Sequence, residues 1–175
     1  KIYFNIYDKS SAAAVTNAAM NGAQIALLNT GLVANAQILQ PDVPIYIALV
    51  LDSSGSMSGS ADVMKNAAKQ ALTNIPNNAF FSIIQFDEEI KLLQDFTENI
   101  AAVSYAVDQV AISNRGTCLY DAAYSAVEAM AKAPAGRRAV ILFTDGKDEN
   151  REGKACSQHS YQELLSLAMK TQVPI

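Results

Sequence analysis

Histidine and cysteine are scarce in this 175-residue chain, which carries one histidine and two cysteines. A single histidine excludes a His-rich metal site. Two cysteines are too few for a disulfide-built scaffold, and too few for a structural zinc centre of four thiolates. An excess of basic residues is also missing. Thirteen Lys and Arg stand against 17 Asp and Glu, for a net charge of −4. A nucleic-acid binder needs a basic face to displace counterions, so that class is set aside. Long hydrophobic runs are absent as well: the longest, Ile45 to Leu51, is far short of a membrane span. No signal-peptide pattern opens the chain at Lys1, and it stops at Val173-Pro174-Ile175. Both ends read as cuts, with targeting segments expected beyond them. No internal repeat and no Asn-x-Ser/Thr sequon occur.

What is present is apolar mass. Half the residues are hydrophobic and 17% are charged, which supplies a core and excludes a disordered chain. The length suits one domain, or one domain with a short extension. Residues 1–41 read as a β-rich N-terminal extension. Ile2 to Tyr7 is rich in strand formers and reaches a turn at Asp8-Lys9-Ser10. Gln24–Leu28 and Ala34–Leu39 suit further strands, and the Ala-rich Ser11–Met20 fits helix equally well. Pro41 and Pro44 bracket a linker.

From Pro44 onward, strand and helix patterns alternate. Ile45–Leu51 predicts a strand buried on both faces. After the polar loop Asp52–Ser60, Met64, Ala68, Ala71, Leu72 and Ile75 mark one helix face. Phe80–Phe86 predicts a second strand, with Glu89–Leu93 as its hairpin partner across a solvated turn at Asp87, Glu88 and Glu89. Ile100, Val103, Val107 and Val110 mark a helix capped by Thr97. Leu119, Ala122, Ala123, Ala126, Val127 and Met130 mark another, Arg138–Phe143 a third buried strand. Ser160-Tyr161-Gln162-Glu163 is a capping box that opens a last helix, with Leu164, Leu167 and Ala168 inward. This alternation predicts an α/β fold, a Rossmann-like doubly wound, mostly parallel sheet with helices on both faces.

Loops after parallel strands gather at the carboxyl edge of the sheet, where ligands bind. Asp52-Ser53-Ser54-Gly55-Ser56 follows the first buried strand, Gly116-Thr117 precedes the Leu119 helix, and Thr144-Asp145-Gly146 follows the Arg138 strand. Two carboxylates and three hydroxyls are therefore expected to converge. An all-oxygen set favours magnesium, calcium or manganese over zinc or copper. In an extended Asp52-x-Ser54-x-Ser56, alternate side chains face one way, and Gly55 is expected to permit a tight turn between them.

These three segments, in this order, resemble the von Willebrand factor A domain with its metal-ion-dependent adhesion site. The resemblance covers Pro44 to Ile175, about three quarters of the chain. It implies that Ser54 and Ser56 bind the metal directly. Asp52 would hold it directly or through water, Thr117 directly or through a bridging water, and Asp145 through water. An Asp or Glu of a partner protein would take the open position, the ion supplying the positive charge. It also implies that residues 44–175 lack the family's last strands and helices, which the parent chain or a separate segment would supply. The N-terminal Tyr3–Asp8 resembles the β-rich lead-in of some secreted bacterial members.

On this reading Cys118 and Cys156 share the metal-binding face. A disulfide is expected there, with two free thiols as the alternative, and a disulfide implies an extracellular, cell-surface or periplasmic location. His159 reads as a polar residue ahead of the capping box, and Asp121 as a charge favouring its helix dipole. Met130 and Met169 read as core filler. Asp148, Glu149, Arg151 and Glu152 form a mixed-charge loop that serves either solubility or partner selection at the rim.

The leading function is a divalent-cation-dependent adhesion module, not an enzyme, with Mg2+ (or Mn2+ or Ca2+) as cofactor. The alternative is a scaffold or assembly domain of a larger secreted or surface protein. A metal-dependent hydrolase ranks lower, because no nucleophile–base pair and no phosphate-cradling Gly-Lys loop are visible. Replacing Asp52 or Thr117 by Ala is expected to abolish binding without unfolding, on the view that both lie on a loop edge outside the core.

Overall fold

The computed structural model describes residues 24–26, 33–35, 43–73, 75 and 78–175. The chain divides into two compact units, Lys1–Asp42 and Val43–Ile175. In the first, β1 (Gln24–Ala26) pairs antiparallel with β2 (Val33–Asn35), Ile25 facing Ala34. The expected strand at Ile2–Tyr7, the Ala-rich segment Ser11–Met20 and the outer parts of the other two expected strands lie outside the described residues.

The second unit is built on β3 (Ile45–Asp52), whose apolar run leaves no polar face for water. After a 3-10 turn at Gly55–Gly59 comes α1 (Ala61–Gln70), then β4 (Ala79–Phe86) and its hairpin partner β5 (Ile90–Thr97). Helices α2 (Ile100–Asp108) and α3 (Leu119–Lys132), β6 (Arg137–Phe143) and α4 (Tyr161–Thr171) follow. The four-stranded sheet runs β5-β4-β3-β6. Strand β3 is parallel to β4 and β6, and only β5 is antiparallel. The fold is mixed α/β, with helices on both faces of a mostly parallel sheet.

Strand alternation divides the core. Tyr46, Ala48, Val50, Ile84 and Phe86 face the Leu119, Ala123, Val127 and Met130 stripe of α3, with Leu164 of α4. Leu49, Leu51, Phe81 and Ile83 face Met64 and Ala68 of α1 and Val103 and Val107 of α2. Burial of each large side chain stabilises by about 1.5–3 kcal/mol. Because β4 and β6 flank β3 on opposite sides, their crossovers leave it in opposite directions. The C-terminal end of β3 thus opens on the crevice of a topological switch point.

Several local expectations need correction. Strand β6 is not fully buried: it lies at the sheet edge, and only Val140 along it is buried. The Val140 N–H reaches the Pro174 carbonyl at 2.9 Å, beyond the end of α4. Arg138 instead turns its guanidinium to the Ala131, Ala133 and Pro134 carbonyls, which the end of α3 leaves without helical partners. Helix α2 is capped by Asn99, whose side chain accepts from the Ala101 and Ala102 N–H groups, and not by Thr97. Ile100, placed on the inward face, is exposed, and so is Met169. The Ser160 capping box is present as expected.

Candidate metal-binding site

Asp52 is the last residue of the central strand and is fully buried, as is Ser53, while Ser54 is 1% exposed. Its Oδ1 accepts the Ser54 N–H at 2.9 Å, and its Oδ2 accepts the Thr144 hydroxyl at 2.7 Å. The second bond ties the ends of β3 and β6 together. Thr144 is a positioning residue that the motif contained without a role being assigned to it. Its place beside Asp145 in the loop after a neighbouring parallel strand was the available signal.

The extended alternation expected from Asp52 to Ser56 stops at Ser54, where the chain enters the 3-10 turn. The Ser54 and Ser56 hydroxyls still meet, 3.1 Å apart. A Cβ on Gly55 would find ordinary contacts of 3.5 Å or more, so glycine is not sterically demanded there. Its N–H bonds to the Arg115 carbonyl, and the Ser113 N–H bonds to the Ser53 carbonyl, which seats the Thr117 loop against the serine loop.

Close approach is decisive at Gly116 instead. A Cβ there would lie 2.6 Å from Asn150 Cα and from the Glu149 carbonyl oxygen. The next residue, Thr117, forms a two-way backbone bridge with Glu149, at 2.8 and 3.0 Å. The loop after β6 is thereby joined to the loop before α3, and Thr117 is 4% exposed.

In the turn at Asp87, Glu88 and Glu89 the two glutamates are exposed, as expected of a solvated turn, and only Asp87 departs from that reading. Asp87 is buried and its carbonyl accepts the Cys118 N–H. Glu88 accepts the Gly116 N–H at 3.0 Å. Arg115 lies 2.6 Å from Glu89 and 3.8 Å from Asp87. This contact holds the Glu89 carboxyl below its ordinary value, chiefly through the Arg115 hydrogen bond and charge, and raises Arg115 in return. The three acids clamp the segment that carries Thr117.

Cys118 and Cys156 form a disulfide. Asp148 organises the loop this bond closes. It accepts from the Leu119 N–H, which opens α3, from the Cys156 and Ser157 N–H groups, and from the Ser157 hydroxyl. It acts as an N-terminal cap of α3 supplied from a distant loop. Asp121 has a comparable task beyond its helix dipole, accepting the Gln158 and His159 N–H groups, with His159 Nδ1 at 2.7 Å. Burial pushes the Asp121 carboxyl up, but these hydrogen bonds outweigh it and hold it below its ordinary value. The His159 ring stacks on Tyr124 at 3.8 Å, so it is a packed partner and not a loose polar residue.

Asp52, Ser54 and Ser56 are linked side by side, and Ser56 and Thr117 line one cleft. Asp145 follows Thr144 at the same edge; it is exposed, and among the described residues no hydrogen bond joins it to the others. The expectation that Asp52 and Thr117 lie outside the core is corrected, because both are buried. Their replacement is expected to disturb folding. Among the described residues no three His, Cys, Asp or Glu side chains form a metal-holding group. Two carboxylates with three hydroxyls are a different kind of donor set. It fits a hard cation, since the buried Asp52 carboxylate has no basic side chain within ion-pair distance among the described residues.

The comparisons agree with this architecture. The family model for the von Willebrand factor type A domain matches residues 47–147, and the chain belongs to that family. Among solved structures it is similar to proximal thread matrix protein 1 of the mussel byssus, with a zinc-occupied MIDAS motif, at 25% identity and a TM-score of 0.61. That match covers 76% of this chain and 35% of the byssus protein. A von Willebrand factor type A structure from Catenulispora acidiphila is 22% identical, with a TM-score of 0.58 over 74% of this chain and 31% of that one. The corresponding domain of the type V pili tip protein Mfa5 from Porphyromonas gingivalis is 21% identical, with a TM-score of 0.53 over 59% of this chain and 38% of that one. These last two show likeness of fold. An uncharacterized protein of Synechocystis is 28% identical over 65% of this chain, and the match spans 28% of that relative's length. No helix among the described residues is long and apolar enough to cross a membrane.

Proposed function

We propose that the chain is a divalent-cation-dependent binding module that captures an Asp or Glu side chain of a partner protein at a metal-ion-dependent adhesion site. The observation that carries this reading is Asp52, a fully buried carboxylate with no basic side chain in ion-pair distance among the described residues, beside the converging Ser54 and Ser56 hydroxyls. A buried anion of this kind calls for a countercharge. Ser54, Ser56 and Thr117 would hold the cation by their hydroxyls, and Asp52 and Asp145 directly or through water. A bound divalent ion would supply the positive charge that draws a partner's carboxylate to an otherwise acidic chain. Mg2+, Mn2+ or Ca2+ suits an all-oxygen set. The byssus relative, whose site holds zinc, makes zinc a necessary arm of any test.

A binding role, not catalysis, is also supported by the lone imidazole, which is committed to Asp121 and Tyr124. The disulfide supports an oxidising, extracytoplasmic setting, as do the pilus-tip and byssus relatives. The same relatives favour assembly into a larger surface structure as the second reading.

The test is cation binding by calorimetry and by thermal shift. Mg2+, Mn2+ and Zn2+ are tested in parallel; at least one is expected to raise the melting temperature of the wild type, and EDTA to reverse this. Asp145→Ala is the cleanest variant because Asp145 is exposed and its side chain makes no hydrogen bond or ion pair among the described residues. It is expected to keep the metal-free melting temperature and lose at least tenfold in cation affinity, roughly 1.4 kcal/mol. Unchanged cation affinity in Asp145→Ala would overturn the assignment. Partner binding that ignores EDTA would favour the assembly reading.

A further inference from the structure

The cleft beside the site has the opposite charge balance to the chain. It encloses about 460 Å³ and runs from Ser56 and Thr117 past Asn114 and Asn150, with Arg115, Lys147 and Arg151 against a single carboxylate, Glu149. That is three cations to one anion in a chain of net charge −4. Arg115 is already committed to Glu89 and Asp87. Glu149 is met by Lys147 at 3.7 Å, and Glu152 nearby by Lys154 at 2.9 Å. Asp148 is saturated by backbone and hydroxyl donors. Arg151 is left with no carboxylate in ion-pair distance among the described residues.

The backbone turn that carries Arg151 is braced. The Asn150 side chain accepts the Glu152 and Lys154 N–H groups, and the Asn150 N–H donates to the Lys154 carbonyl at 2.7 Å. Gly153, at φ 77°, closes this turn in a conformation that disfavours other residues. The Thr117–Glu149 bridge fastens its base to the candidate metal site. Arg151 therefore stands on a braced turn at the cleft wall.

We propose that this cleft is a second anion subsite, in which Arg151, aided by Lys147, takes a second carboxylate of an acidic peptide segment whose first carboxylate is at the cation site. The inference rests on the adhesion-site reading for the first anchor. It gives the module a preference for partners with two acids close in sequence. Ser56 and Thr117 belong to both the cleft and the candidate cation site, so one short segment spans the two anchors. The guanidinium offers a planar pair of donors to a carboxylate, which gives geometric selection as well as charge.

The experiment compares two fluorescently labelled, end-blocked peptides, alike except that one carries a single Glu and the other a second Glu two residues on. Anisotropy is measured in Mg2+ and in EDTA, on the wild type, Lys147→Gln/Arg151→Gln and Asp145→Ala. The wild type is expected to favour the di-acid roughly three- to tenfold. In the double variant the two affinities converge, while Asp145→Ala weakens both peptides and keeps their ratio. A ratio near one in the wild type, or an unchanged ratio in the double variant, overturns the subsite and leaves the cation site standing if EDTA still weakens the single-Glu peptide. A ratio abolished by the double variant but with affinities indifferent to EDTA keeps the subsite and overturns the metal anchor. Failure of both peptides to bind at millimolar concentration overturns both.

Discussion

Gly116 shows how much of the site depends on one missing side chain. Its Cα lies so close to Asn150 and Glu149 that a methyl group would overlap backbone atoms at 2.6 Å. Backbone cannot swing aside as a flexible side chain can, so Gly116→Ala must spread the Thr117 and Glu149 loops. We expect a loss of about 1–3 kcal/mol in urea unfolding, the range for overpacking, with weaker cation binding because Thr117 is displaced. Gly116→Ala with wild-type stability and cation affinity would show that the loops are not tightly apposed. Asp52 teaches a related point. It is a candidate ligand and also a folding group, holding the Ser54 N–H and the Thr144 hydroxyl. Asp145→Ala is expected to test a ligand role apart from the fold, whereas a change at Asp52 would alter both.

Among the elements, α3 is the pivot. Its N-terminus begins two residues after Thr117, is capped by Asp148 and is pinned by Cys118–Cys156. Its stripe of Leu119, Ala122, Ala123, Ala126, Val127 and Met130 is buried against β3 and β4. The disulfide spans a sequence separation of 38. By loop-closure entropy, removing a crosslink of that span costs about 3–4 kcal/mol. The double replacement Cys118→Ser with Cys156→Ser is therefore expected to shift the denaturant midpoint markedly. It should also raise amide exchange first in residues 148–160, where Asp148 and Asp121 hold the loop. Uniform exchange across the domain, with no change confined to that loop, would contradict a local clasp.

Across the molecule, acidity is managed by placement. Glu89, Asp121 and Glu163 are all held below their ordinary values. For Glu89 the cause is Arg115; for Glu163 it is the Ser160 N–H and hydroxyl; for Asp121 the Gln158 and His159 bonds overcome burial. A carboxyl depressed in the folded state binds protons less readily than in the unfolded chain. Its stabilising contribution is complete above the ordinary carboxylate range and is lost as pH falls through the depressed folded value. Urea unfolding at a series of pH values should therefore show an acid limb confined to that range. Asp121→Asn should lower stability at neutral pH and make the limb shallower. An acid limb of unchanged slope in Asp121→Asn would remove Asp121 from this account.

Local pattern suffices for much of this protein. The apolar runs at Ile45–Leu51 and Phe80–Phe86 and the spaced stripes of α1 and α3 are legible in sequence, because strand and helix periods are properties of neighbouring residues. The Ser160 capping box is legible for the same reason. The site motifs are legible because parallel strands send their following loops to one edge. Contacts between distant loops are not encoded by any local period. The clamp of Asp87, Glu88 and Glu89 on the Thr117 loop, the capping of α3 by Asp148 and the pairing of Asp121 with His159 all join residues far apart in the chain. So does the lining of one cleft by both Ser56 and Arg151. Whether a charged side chain is solvated, saturated or left over is decided only when folding brings its partners within hydrogen-bond reach.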